Sequence, residues 1–180
     1  DELKIRGGNY TTKVGGSFYR LITLRGTRTA PIRVYGAANE VVVIEGDKAQ
    51  SQNILNLDVE HVSFSNIKFM YGSRGLRIQH GLHSLFENIV ITKAGATAFS
   101  ANDAGQTYQN LTMRRMEIFD ILGGTGECFY LGCNNAACKI IHSMVEQNYC
   151  HDMMKTTHGS FEVKTGSYGN IIRDNVIHDG

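Results

Sequence analysis

The sequence contains one proline, Pro31, no tryptophan, and no apolar run near the roughly 18 residues that a membrane-spanning helix needs. No membrane span is expected, and the basic-then-apolar start of a secretory signal is missing, so any such signal has already been removed. An excess of one charge is missing too: 18 basic and 17 acidic residues leave a formal charge of +1. That balance gives no electrostatic case for nucleic acid or an anionic membrane as partner. Few segments show the 3.6-residue apolar period of a helix. What the chain has in quantity is turn chemistry, with 20 glycines and many asparagines between short apolar segments. At 180 residues and 42% apolar content it can bury one core, and one domain over 1–180 is expected.

The short segments repeat. Val145 to Asp152, VEQNYCHD, returns as Ile172 to Asp179, IRDNVIHD, so that Asn148 matches Asn175, His151 matches His178 and Asp152 matches Asp179. This interval of 27 residues lies in the range of solenoids, propellers and arrays. Upstream, FSNIKF and FENIVI place Asn66 and Asn88 22 residues apart, and in MRRMEIFD Met116 takes the asparagine place and Asp120 the aspartate place. The successive intervals of 22, 28, 32 and 27 read as coils whose later turns carry longer loops on one side. Before them, Asp1 to Tyr10, Phe18 to Leu24, Pro31 to Tyr35 and Val41 to Ile44 read as strand segments separated by turn compositions.

A second element recurs between these: LRIQ (76–79), AFSA (98–101), FYLG (129–132) and FEVK (161–164). Each alternates with period two, as a strand with one buried face must. Leu76/Ile78, Phe99/Ala101, Phe129/Leu131 and Phe161/Val163 are expected inside. Arg77, Ser100, Tyr130 and Glu162 then form an outer row beside Gln79, Asn102, Gly132 and Lys164. Strands one coil apart lie about 4.8 Å from each other, so equivalent side chains form ladders. Asn66, Asn88, Asn148 and Asn175 read as one asparagine ladder, internal or at a turn. His61, His80, His83 and His142 form no spaced cluster and read as surface or turn residues.

All four cysteines, Cys128, Cys133, Cys138 and Cys150, fall within 23 positions. The hexapeptide CNNAAC suits a disulfide from Cys133 to Cys138 in an oxidising compartment. Free buried thiols are the alternative, and zinc is disfavoured because no CxxC or CxxH spacing occurs.

With GECFYLGCN (126–134) and HGSFEVKTGS (158–167), the repeat resembles the right-handed parallel β-helix proteins of the polysaccharide-lyase and epimerase type. GTRTAPIRVYGAANEVVVIEGD is similar to their opening coils, where a GTxxxPIxI strand precedes the first complete turn. The resemblance covers nearly all 180 residues. It implies an all-β, single-stranded right-handed parallel β-helix of about six to seven coils, secreted or at the cell surface, acting on or binding an acidic polysaccharide. One departure stands out: relatives usually carry GDGIE where this chain has HGSFE, so Gly159 replaces an aspartate.

Cleaving a uronate polymer by β-elimination takes a base for the proton beside the carboxylate and positive charge for the enolate-like intermediate, from Ca²⁺ or from Arg and Lys. The outer row supplies Lys164 as candidate base and Arg77 as uronate clamp, with Tyr130 and Glu162 between them. Lys155 and His158 form a basic pair in the preceding loop. The plainer reading of this row is a solvated strand face. Asp120, Asp152 and Asp179 recur once per coil and suggest a Ca²⁺ site, although aspartate after a strand more commonly caps a turn. His151 and His178, each followed by an aspartate, are candidates for acid–base work, while Phe119 at the same place one coil earlier points to packing. The competing class is a noncatalytic solenoid such as a fibre, adhesin or surface-layer component. Neither end shows a cap, so the unpaired edges are expected to continue into a longer chain or to support end-to-end self-association.

Overall fold

The computed structural model of the chain describes residues 1–123, 126–153 and 160–178. Its regular elements there are all strands, gathered into two sheets of 12 and 8 strands whose ladders are parallel throughout. Among the described residues no helix is long and apolar enough to cross a membrane.

Each coil runs through four short segments. Row a holds Leu76–Leu82, Phe99–Ala101, Phe129–Leu131 and Phe161–Val163, preceded by Leu21–Arg25 and Leu55–Glu60. Row b follows with Thr107–Gln109 and Lys139–Ile141, which pair with each other and with the end of Leu76–Leu82. Row c holds Glu2–Ile5, Ile32–Gly36, Thr112–Arg114, Met144–Glu146 and Ile171–Arg173. Row d holds Gly8–Thr11, Val42–Glu45, Glu117–Phe119, Tyr149–His151 and Val176–Ile177. In the shortest coil, rows c and d are the two halves of the long strands Val62–Met70 and Leu85–Thr92. Row c therefore counts seven rungs, within the expected number of coils.

The corners explain the asparagines. Sixteen described non-glycine residues have positive φ, and thirteen of them sit at three corners that recur coil after coil. His61, His83, Asn110 and His142 turn row b into row c. Asn66, Asn88, Arg115, Gln147 and Asp174 turn row c into row d. Tyr71, Lys93, Asp120 and Asp152 leave row d. Left-handed backbone disfavours most side chains, and Asn, Asp and His tolerate it best. Corner amides still bond to the next coil, as from Lys93 to the Asp120 carbonyl at 3.1 Å and from His83 to that of Gln109 at 2.9 Å.

This geometry corrects two expectations. The four asparagines form two ladders, one residue apart. Asn66 and Asn88 are exposed corner residues, in line with Arg115, whereas Asn148 and Asn175 stack with Met116 at the following place, with Asn148 inside the solenoid. The interval of 28 residues from Asn88 to Met116 therefore compared unlike places. The histidines are also a true series: His61, His83 and His142 share one corner, and the His61 and His83 rings stack at 4.7 Å.

The core is the inward face of all four rows. Phe64, Phe86, Phe99, Phe129 and Phe161 form a chain of rings at centroid distances of 5.0–5.8 Å that links row c to row a. Leu76, Ile78, Phe99, Ala101, Phe129 and Leu131 point in as the alternation requires. Places expected to face in along the last coil are open instead: Phe161 is only partly buried, and Val163, Ile172 and Ile177 are 39%, 49% and 52% exposed.

Candidate functional site

From Val62 onward the corners between rows b and c and between rows c and d keep a constant two-residue length or run straight through, so coil growth there is confined to the two ends of row a, whereas the earlier coils also lengthen at 26–31 and 37–41. The link from row d into row a is six residues (93–98) in one coil and nine (120–128) in the next. The link out of row a is absent in Leu76–Leu82, five residues at 102–106 and seven at 132–138. Row a is thus the strand face bordered by variable loops, where functional side chains are most readily accommodated on a rigid scaffold.

Its outer row is in register as expected: Asn56, Arg77, Ser100, Tyr130 and Glu162 occupy consecutive rungs. Arg77 turns towards the loop after row a, where its Nε donates to Asp103 Oδ1 at 2.8 Å. Asp103 is held in turn, because its backbone N–H donates to the hydroxyl of buried Tyr108 at 2.8 Å. Lys164 lies against the Tyr130 ring, with Nζ 4.3 Å from its centroid, and pairs with the Glu162 carboxylate. Burial pulls the Lys164 pKa down. The Glu162 hydrogen bond, reinforced by Tyr130, Glu162 and Glu127, outweighs this and leaves it raised, so Lys164 is an ammonium in this arrangement.

Two residues that strand alternation did not single out, Arg74 and Glu127, belong to the same face. Arg74, in the turn before Leu76, is partly buried, and its Nε has no hydrogen-bond partner among the described residues. Burial, and then the charge of Arg77, lower its pKa, with Glu127 and Asp103 acting against them. Glu127 is 1% exposed and accepts a hydrogen bond from Thr97 Oγ1 at 2.9 Å. Ser100 is fully buried despite its outward place, and its hydroxyl lacks a partner among the described residues. Glu127 and Tyr130 act electrostatically on both Arg74 and Lys164, which makes the cluster continuous. The result is two guanidiniums, one ammonium and an aromatic ring on one face. Such a set can bind a carboxylate and stack a sugar ring.

The histidine and aspartate candidates lie on the other sheet. His151 stacks between Phe119, at 5.1 Å, and Tyr149, at 4.1 Å. Its Nδ1 contacts Asp152 Oδ2 at 2.8 Å and its Nε2 contacts Glu117 Oε1 at 3.3 Å. Register places His178 beside His151, one coil on. Neither shares a face with Lys164. Asp120 and Asp152 do align, as left-handed corner residues whose backbones bond from coil to coil at 3.2 Å. Ca²⁺ takes six to eight oxygen ligands. Asp152 is engaged by His151, the third aspartate of the series, Asp179, lies outside the described residues, and no group of three His, Cys, Asp or Glu side chains gathers among the described residues. Lys155, His158 and Gly159 also lie outside the described residues.

Both cysteine pairs are bonded. Cys133–Cys138 closes the loop after row a, and Cys128–Cys150 crosses the interior of one coil, so no described cysteine is a free thiol.

A solenoid of parallel four-segment coils with left-handed corners and a stacked apolar interior is a right-handed parallel β-helix. Its architecture is similar to that of pectate lyase Pel9A, whose crystal structure superposes with a TM-score of 0.59 over 91% of this chain and 48% of that one. The chain spans about half the length of that structure, and at 12% identity the likeness is one of fold. No family model and no curated protein matches the sequence.

Proposed function

We propose that this polysaccharide lyase-like β-helix binds and cleaves an acidic polysaccharide on the outer face of row a. The observation that carries the reading is the shared outer face that holds Arg77, Tyr130 and Glu162 in register, with Lys164 Nζ 4.3 Å from the Tyr130 ring centroid, between the two sets of variable loops. Arg77, backed by Arg74, neutralises the uronate carboxylate, which acidifies the adjacent C–H. Lys164 in its neutral form takes that proton. The C–H electrons become the new double bond, and the glycosidic bond one carbon away breaks with its electrons on the departing oxygen. Tyr130 offers its ring to the sugar. The two disulfides suit an oxidising compartment and support secretion.

Lys164 as an ammonium paired with Glu162 favours a second reading, in which the same face holds the polymer without cleaving it. Incubating the protein with pectate, alginate and glycosaminoglycans, with and without Ca²⁺, separates the two by ultraviolet absorbance of unsaturated product. Product that disappears in Lys164→Ala supports cleavage. Retention of polymer with no product from any substrate leaves binding alone.

A further inference from the structure

We infer that the corner between rows c and d carries a second binding site for an acidic oligosaccharide, separate from the row a face. The turn at 37–41 overhangs this corner and leaves a groove of about 500 Å³ lined by Glu40, Val41, Asn66, Lys68, Asn88 and Val90, among others. Its polar side chains are Asn39, Glu40, Asn66, Lys68 and Asn88, of which Lys68 and the three amides can donate. The Asn66 side chain has no hydrogen-bond partner among the described residues, and Asn88 Oδ1 already accepts from Arg115 Nε at 3.2 Å, which leaves its NH₂ to donate. Lys68 has no carboxylate partner among the described residues. Its ammonium lies 5.8 Å from the Phe119 ring centroid, so its stem extends along row d. Glu40 adds no net negative field, because Arg6 and the Gly7 amide already hold its carboxylate.

An array of two amides and one unneutralised ammonium selects a ligand rich in acceptors and bearing negative charge. Val41, 74% exposed, supplies apolar surface for a sugar face. Asn66 and Asn88 occupy the same corner place one coil apart, about 4.8 Å along the axis. That spacing is close to the advance of one sugar in an extended polysaccharide, so neighbouring sugars meet equivalent donors. Further along the same sheet, Lys48 and Lys93 flank the Tyr71 ring at 5.1 and 5.9 Å, which continues the pattern of cation and ring. The ligand class is shared with the proposed function, whereas the site and its readout are independent of it.

The test is affinity electrophoresis of the full chain carrying Arg77→Ala and Lys164→Ala, which removes the row a cations from the readout, in gels containing polygalacturonate, with neutral dextran as control. Retardation by polygalacturonate alone is expected. It should weaken about tenfold in a variant carrying Lys68→Ala and Asn66→Gly, the effect of losing one charge-assisted hydrogen bond. Glycine keeps the left-handed backbone at 66, and an unchanged melting curve verifies the fold. In that background, equal retardation with and without Lys68→Ala and Asn66→Gly, equal retardation by dextran, or none by polygalacturonate overturns the inference. A lack of unsaturated product in the lyase assay bears on row a and leaves this result untouched.

Discussion

Replacing Asn148 by alanine tests whether the internal amide ladder holds the later coils together. Asn148 is 1% exposed. Its Oδ1 accepts from the Met116 amide at 2.9 Å, while its Nδ2 donates to the Met113 carbonyl at 3.1 Å and to Asn175 Oδ1 at 2.9 Å. Alanine leaves the Met116 N–H and the Met113 C=O inside the solenoid without a side-chain partner, and each such orphan costs about 1–3 kcal/mol. With the lost Asn148–Asn175 bond at about 1 kcal/mol, the sum is about 4 kcal/mol, a large share of the 5–15 kcal/mol that holds a typical domain together. At a urea slope of about 2 kcal/mol/M this lowers the unfolding midpoint by about 2 M. Asn66→Gly is the matched control. Asn66 is exposed and its conformation is one that glycine adopts freely, so its midpoint should stay within about 0.5 kcal/mol of wild type. Equal losses in the two variants, with unchanged slopes, would refute the division of the asparagines into a structural ladder and an exposed corner.

If Lys164 is the base, its raised pKa puts the rising limb of kcat/KM on the alkaline side of neutrality, where the neutral amine becomes populated. Glu162→Gln removes the charge that favours the ammonium, so the limb should move to lower pH; a limb that stays in place excludes Lys164 as its origin. The two disulfides should separate under mild reductant. Cys128 and Cys150 are fully buried whereas Cys133 is partly exposed, so Cys133 and Cys138 should be alkylated first in a mass-spectrometric time course. Loop closure makes the 22-residue separation of Cys128–Cys150 worth about 3 kcal/mol and the five-residue separation of Cys133–Cys138 about 2 kcal/mol. Melting should therefore fall further at the second stage of reduction, and the reverse order of alkylation would contradict the burial of Cys128.

Much of the architecture was legible in the chain because its causes are local. Period-two alternation in LRIQ, AFSA, FYLG and FEVK set which residues face in, and the return of VEQNYCHD as IRDNVIHD set the register of the last coils. Arg77, Tyr130, Glu162 and Lys164 were brought to one face by that register alone. Other features arise from contacts between segments remote in sequence. Glu127 before a strand reads as a solvated residue, and only folding shows it buried against Thr97, 30 positions away. Arg74 sits in a turn, where nothing nearby signals that it will be stripped of water beside Arg77. The asparagines misled for a related reason: corner and interior places are adjacent, and the same amide suits both, on one as a left-handed residue and on the other as a partner for the next coil's backbone. Side-chain period and coil spacing are properties of the chain itself. Burial, charge neighbours and the split of candidate residues between two sheets belong to the wound solenoid, because they depend on which coil lies above and which below.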